Sequence, residues 1–221
     1  MQKVKCGMGK STVYGLLLTL CCLLLTACGD AATPAPAATS LPLAPATATP
    51  AVAVITSTPL PQDQAALPVE LSIPALNFTV AVTPMAWQVT QVAGERSAVW
   101  QVPEDKAGWH INSARAGALG NVVISGHHLQ GKAVFATLAR GEVEVGQQIL
   151  LTDERGKTFV YQVTEVAAPI PVLSATTDDQ AHAAAYMAPS NQAKLTLVTG
   201  WPEFSDTHLL FIVAQFSGIT S

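Results

Sequence analysis

Cysteine is missing from most of this sequence. The four present are Cys6, Cys21, Cys22 and Cys28, and none follows. Thiol catalysis, disulfides and cysteine-based metal sites are therefore excluded from everything downstream. Charge is also sparse: only 12% of the 221 residues are Asp, Glu, Lys or Arg, with a formal net charge of −4. Nucleic-acid binding needs a basic footprint, so a nucleic-acid partner is excluded as well. The longest apolar run, "VYGLLLTLCCLLL" at 13–25, falls short of the ~20 residues that span a bilayer as a helix.

That run instead has the layout of an export signal. Lys3, Lys5 and Lys10 precede it, and "LTAC" at 25–28 follows, with small residues directly before Cys28. The ending resembles the lipobox of bacterial lipoproteins. The resemblance implies cleavage before Cys28, lipid attachment to Cys28, and anchoring on the outer face of the cytoplasmic membrane in the bacterial cell envelope. Buried acyl chains give about 0.8 kcal/mol per methylene, which holds a soluble domain at a membrane. Residues 1–27 are thus expected to be a signal peptide. Without its three lysines the remainder has 8 basic and 15 acidic residues, a balance near −7.

Residues 28–66 read as a tether. The stretch 31–62 contains no charge, glycine or aromatic residue, and holds seven of the 15 prolines. Such a composition builds no core and favours extended polyproline II. "VAVI" at 52–55 is its one apolar patch, with local pairing as the alternative to a plain tether.

A globular domain is expected over 67–221, mainly β, with one or two short helices. "VELSIPALNFTVAV" at 69–82 gives strand-like segments broken at Pro74. "NVVISGH" at 121–127 is a short apolar strand between glycines. "QQILLTD" at 147–153 and "TFVYQVTEV" at 158–166 flank a hairpin turn at "ERGK". "KLTLVTG" at 194–200 alternates, and "HLLFIVAQF" at 208–216 has the unbroken apolar centre of a doubly buried strand. Helices are expected within 132–141 and 176–188, the second with Thr/Asp cap candidates. Many short strands with turn signals indicate a closed barrel or sandwich.

The order of these pieces resembles the sortase family. The resemblance rests on "LSIPALNFTVAV", "WQVPEDKAGWHINSARAGALGNVVISGHH" at 100–128, "GKAVFATLARGEVEVGQQILLTD" at 131–153 and "LTLVTGWPEFSDTHLLFIVAQF" at 195–216. It implies a sortase-like closed β-barrel and, for active members, a cysteine transpeptidase. Such enzymes cut a Leu-Pro-any-Thr-Gly signal through a thioester and pass the acyl group to an amine. Their chemistry needs a thiolate, a histidine acid and an arginine near the oxyanion.

Carried over residue by residue, the family histidine is His127. The family cysteine follows "TL-any-T", here "TLVT" at 196–199, so Gly200 stands in its place. The family arginine position, nine residues on, is Leu209. Thr196, Thr199 and Trp201 are then candidate binding residues, with Trp201 walling a groove or simply packing in a turn. The implied protein is a lipid-anchored pseudoenzyme that binds an extended peptide, such as a sorting signal or a pilin or surface-protein tail. Two alternatives stand: a hydrolase or transpeptidase using Thr199 or Ser205 with His127 as base, and a structural spacer or assembly module. His128 is expected on the opposite strand face from His127. His127, His208 and Asp206 match no metal-ligand spacing, so neither metal nor cofactor is expected.

Overall fold

The computed structural model describes residues 54–55, 58–92 and 95–220. The expected signal peptide, Cys28 and most of the tether lie outside the described residues. No helix among the described residues is long and apolar enough to cross a membrane.

The strands, in chain order, are β1 (Val54–Ile55), β2 (Pro68–Ile73), β3 (Phe78–Met85), β4 (Trp87–Val92), β5 (Glu95–Trp100), β6 (Ala107–His110), β7 (Asn121–Ser125), β8 (Gln148–Asp153), β9 (Thr158–Val166), β10 (Ile170–Pro171), β11 (Lys194–Trp201) and β12 (His208–Thr220). Two α-helices, α1 (Ala136–Ala139) and α2 (Thr177–Met187), lie between β7 and β11. Eight strands close into a barrel in the order β12-β11-β7-β6-β3-β2-β8-β9, with β9 returning to β12. The expected mainly β, closed barrel with short helices is what the chain forms.

Two neighbouring pairs are parallel, β3 with β6 and β7 with β11. Parallel neighbours need a long crossover. The first crossover carries the β4–β5 hairpin, and the second carries α1, β8, β9, β10 and α2. The hairpin was not foreseen from the sequence. It forms its own two-stranded sheet, with Trp87 and Val89 exposed, so no alternation of buried and exposed residues marks it.

Alternation along the barrel strands sorts the side chains. Val122 and Ile124 of β7, Leu195 and Leu197 of β11, and Leu210 and Ile212 of β12 all point into one interior cluster. Val123, Val198 and Phe211 point outward into a second cluster under α2. Thr176 and Asp179 form a capping box that starts α2. Tyr186, in its last turn, stacks on Phe211 with ring centroids 4.8 Å apart. α1 is shorter than the 132–141 window. Ala133 has φ 48°, outside the helical range, and Gly141, at φ 76°, follows the last turn.

Chain upstream of residue 67 also joins the barrel. Ala65 and Ala66 are buried, Leu60 bridges Ala118, and Val54–Ile55 pairs with the end of β12. Val54 and Ile55 of the "VAVI" patch thus pair with the far end of the chain, while Val52 and Ala53 lie outside the described residues. Small residues permit this: Ala side chains can enter a core without displacing larger ones.

Gly117 shows how tightly the interior is filled. It has φ +71°, and a Cβ there would run into the buried Phe159 ring, while its N–H donates to Tyr161 Oη at 2.8 Å. Gly117→Ala is expected to lower unfolding stability by about 2 kcal/mol or more, from overpacking and backbone strain together. Urea titration of the two proteins measures this.

Candidate functional site

The site forms where β7, β11 and β12 end side by side. β11 pairs with β12 so that Gly200 lies opposite Leu209 and Trp201 opposite His208. The Gly126 N–H, just beyond β7, donates to the Val198 carbonyl at 3.1 Å, and Thr199 Oγ1 donates to the Gly126 carbonyl at 2.9 Å. These two bonds clamp the end of β7 to the end of β11. Gly126 itself must lack a side chain, because a Cβ would sit 2.6 Å from the Phe135 ring.

Beyond Gly126 the two histidines take different places. His127 is half-buried; its Nε2 bonds the Val102 carbonyl at 3.2 Å, and its own carbonyl accepts from Phe135 N–H. His128 is only 4% exposed and reaches Gly200. A Cβ built on Gly200 would lie 2.7 Å from His128 Nδ1 and would overlap its Cε1. The imidazole of His128 therefore fills the volume a side chain at position 200 would need. His128 thus lies apart from His127; β7 ends at Ser125, and the turn that follows carries His128 toward β11.

Hydrogen bonds hold His128 there. Its Nε2 lies 3.1 Å from both the Pro202 and Ser205 carbonyls. Both partners are acceptors, so Nε2 carries the proton in this network. In the neutral ring Nδ1 is then a bare acceptor, and it faces Gly200. Asp206 Oδ1 is 3.6 Å from Nε2, on an exposed side chain, and 3.0 Å from the Gly200 Cβ position. The 201–206 turn, entered through a cis Trp201–Pro202 bond, thus closes over the ring.

The remaining expected residues fall as follows. Leu209 is half-buried and packs on the outer apolar cluster, offering no donor and no charge. Thr199 spends its hydroxyl proton on Gly126. Thr196 is fully buried at the other end of β11, donating to Asn121 Oδ1 at 2.9 Å and to the Tyr186 carbonyl. Trp201 meets His208 edge-on at 5.6 Å, and His208 Nδ1 bonds Thr207 Oγ1. Among the described residues no cluster of three or more His, Cys, Asp or Glu side chains is placed to hold a metal ion. Cys28 lies outside the described residues.

Sequence reasoning missed the buried pair His110 and Ser125. His110 Nε2 and Ser125 Oγ lie 2.7 Å apart across β6 and β7. Burial pushes the His110 pKa down to about 4, so the ring is neutral near pH 7. Only strand register brings the two together, and no local motif marks them.

Two measurements check these arrangements. Gly200→Ala is expected to cost about 1–3 kcal/mol through overlap with His128, and much less in a His128→Ala background. A double-mutant cycle of denaturation midpoints reads that coupling. Unfolded, His110 titrates near 6.5. The unfolded chain therefore binds the extra proton first, and stability falls as pH drops from 6.5 toward 4. Full stability is kept above 6.5, with a loss of about 2 kcal/mol by pH 5. His110→Gln should flatten that slope in urea titrations at pH 7 and pH 5.

Comparison with known proteins follows the same residues. A family model described as the sortase domain matches residues 71–216. No curated protein matches. Among solved structures, sortase A of Listeria monocytogenes is 19% identical, with a TM-score of 0.49, covering 71% of this chain and 90% of that one. A lid mutant of Corynebacterium diphtheriae sortase A is 22% identical, TM-score 0.48, covering 68% and 69%. Streptomyces coelicolor sortase E1, solved with a tripeptide in its active site, is 15% identical, TM-score 0.46, covering 73% and 93%. With the family model spanning most of the barrel, the chain belongs to the sortase family.

Proposed function

We propose that this chain is an envelope-anchored sortase homologue that binds an extended peptide without transpeptidating it. The single observation behind the reading is the geometry at position 200. Gly200 has no nucleophile, Leu209 opposite it has no charge, and the His128 ring occupies the space between β11 and the 201–206 turn. In a triad enzyme, loss of the nucleophile costs on the order of a millionfold in turnover. An apolar group in place of an oxyanion donor adds ~3 kcal/mol to the barrier.

The alternative nucleophiles are poorly supported. Thr199 donates its proton to a backbone carbonyl rather than to a base. Ser205 offers its carbonyl to His128. A hydroxyl nucleophile needs an adjacent base and an oxyanion hole, and neither residue has a histidine poised to take its proton. His127 keeps the family position and, in this reading, is a retained acid without a partner.

Placement in the cell follows the leader. Cys28 carries lipid after removal of residues 1–27, the proline-rich stretch within 28–66 lifts the domain, and the barrel faces outward at the cytoplasmic membrane. The bound group is a sorting-signal-like peptide or a pilin or surface-protein tail, running past Trp201.

A fluorogenic Leu-Pro-Ala-Thr-Gly peptide with an amine acceptor tests the reading. Wild-type protein is expected to bind the peptide saturably and to show no turnover above the uncatalysed rate. Gly200→Cys with Leu209→Arg should remain inactive until His128 is also reduced to Ala, since the ring holds the thiol's space. Wild-type cleavage that survives repurification and vanishes with Thr199→Ala, Ser205→Ala or His127→Ala would overturn the proposal. Absence of peptide binding would favour the spacer reading.

A further inference from the structure

A cavity lies toward the far end of the same strands. Its volume is about 360 Å³, within the range that holds small ligands. Trp100, His110, Asn112, Ser113, Asn121 and Ser190 line it. Asn121 opens β7 and pairs with Lys194, whereas Ser125 closes β7 beside Val198, two residues before Gly200. At ~3.3 Å per residue the cavity is therefore on the order of 15 Å from the Gly200 site. That distance is from its Asn121 end; Val123 and His110 carry its wall part of the way back along β7.

We propose that this cavity binds an uncharged saccharide unit. The lining contains no Asp, Glu, Lys or Arg. Its one titratable side chain, His110, is held neutral by burial and occupied by Ser125. An anionic ligand would meet no cation there, and a cationic ligand would meet no carboxylate. What the walls present is an indole, amides and hydroxyls. Aromatic faces accept the C–H face of a sugar ring, while amides and hydroxyls match its O–H groups.

Asn121 and Ser113 spend their polar groups inside the protein and fix the shape of the wall, leaving Asn112 and Ser190 to meet the sugar hydroxyls. Trp100 lies against the His110 ring with centroids 4.2 Å apart. Asn121 Nδ2 donates to the Tyr186 and Ala188 carbonyls at 2.9 and 3.0 Å, locking the amide under the end of α2. Ser113 Oγ donates to the His110 carbonyl at 2.7 Å and accepts from Val123 N–H at 3.1 Å. Ser190 Oγ accepts from Gln192 N–H, which leaves its proton for a ligand. A preorganised wall reduces the ordering cost of binding. Four distant segments build the cavity, since Gln62 and Met187 complete it, so it exists only in the folded chain.

Titration of the full chain with cellobiose and with N,N′-diacetylchitobiose tests the inference, using the Trp100 indole resonance as the readout. Glucuronate and glucosamine serve as charged controls. The expected result is saturable binding of at least one neutral disaccharide, at least tenfold weaker binding of both charged sugars, and about a tenfold loss in Trp100→Ala with partial recovery in Trp100→Phe. Asn112→Ala changes an exposed rim residue, so its loss of affinity is read on a folded protein. Absence of saturation by either disaccharide up to ~10 mM would overturn the proposal. So would binding unchanged in both Trp100→Ala and Asn112→Ala, or binding of acetyl-Ala-Ala-Ala-amide at the same signals when the sugars fail. The outcome is independent of sorting-peptide binding, which is measured on the same samples and is expected to be unchanged by Asn112→Ala.

Discussion

The parallel pairing of β7 on β11 carries the whole site. Its last bonds run from Gly126 N–H to Val198 and from Thr199 Oγ1 back to Gly126. Together they set the turn after β7 against the end of β11, which is how a histidine at 128 comes to lie on a glycine at 200. The pairing is costly to form, because its crossover spans most of the middle of the chain. What stabilises it is burial on both faces. Val122 and Ile124 fill the barrel interior while Val123 and Val198 are covered under α2.

The same pairing runs from the candidate site at Gly200 to the cavity at Asn121. At one end, Gly200 and the backbone carbonyls of the following turn admit the His128 imidazole. At the other, Asn121 ties β7, β11 and α2 into one polar corner through Thr196 and the carbonyls of Tyr186 and Ala188. Those carbonyls belong to the last turn of a helix and its cap, groups that need partners from outside the helix. A structural need at α2 thus fixes a wall of the cavity at Asn121.

Gly200 and His128 are matched in volume. A side chain at 200 and the ring at 128 compete for one space, and the ring is held by two carbonyls of the turn that follows β11. The neighbouring turn and ring leave no gap at position 200. Close packing explains why, since an unfilled hole beside a buried ring would forfeit dispersion contacts.

Much of the architecture was legible in the sequence. The apolar alternation of 194–200, the unbroken centre of 208–216, the hairpin at Glu154–Lys157 and the Thr176 cap are local signals, and each follows from a residue's own neighbours. That Gly stands at 200 and Leu at 209 is likewise read from the sequence, because identity at a position needs no coordinates. The β4–β5 hairpin, the burial of Ala65 and Ala66, the His110–Ser125 pair and the placement of His128 were decided by tertiary structure. Each depends on contacts between residues far apart in the chain, where strand register and packing, rather than local pattern, choose which side chains meet. Sequence determined which atoms were on hand at position 200; only the fold determined that a second histidine would fill the space beside it.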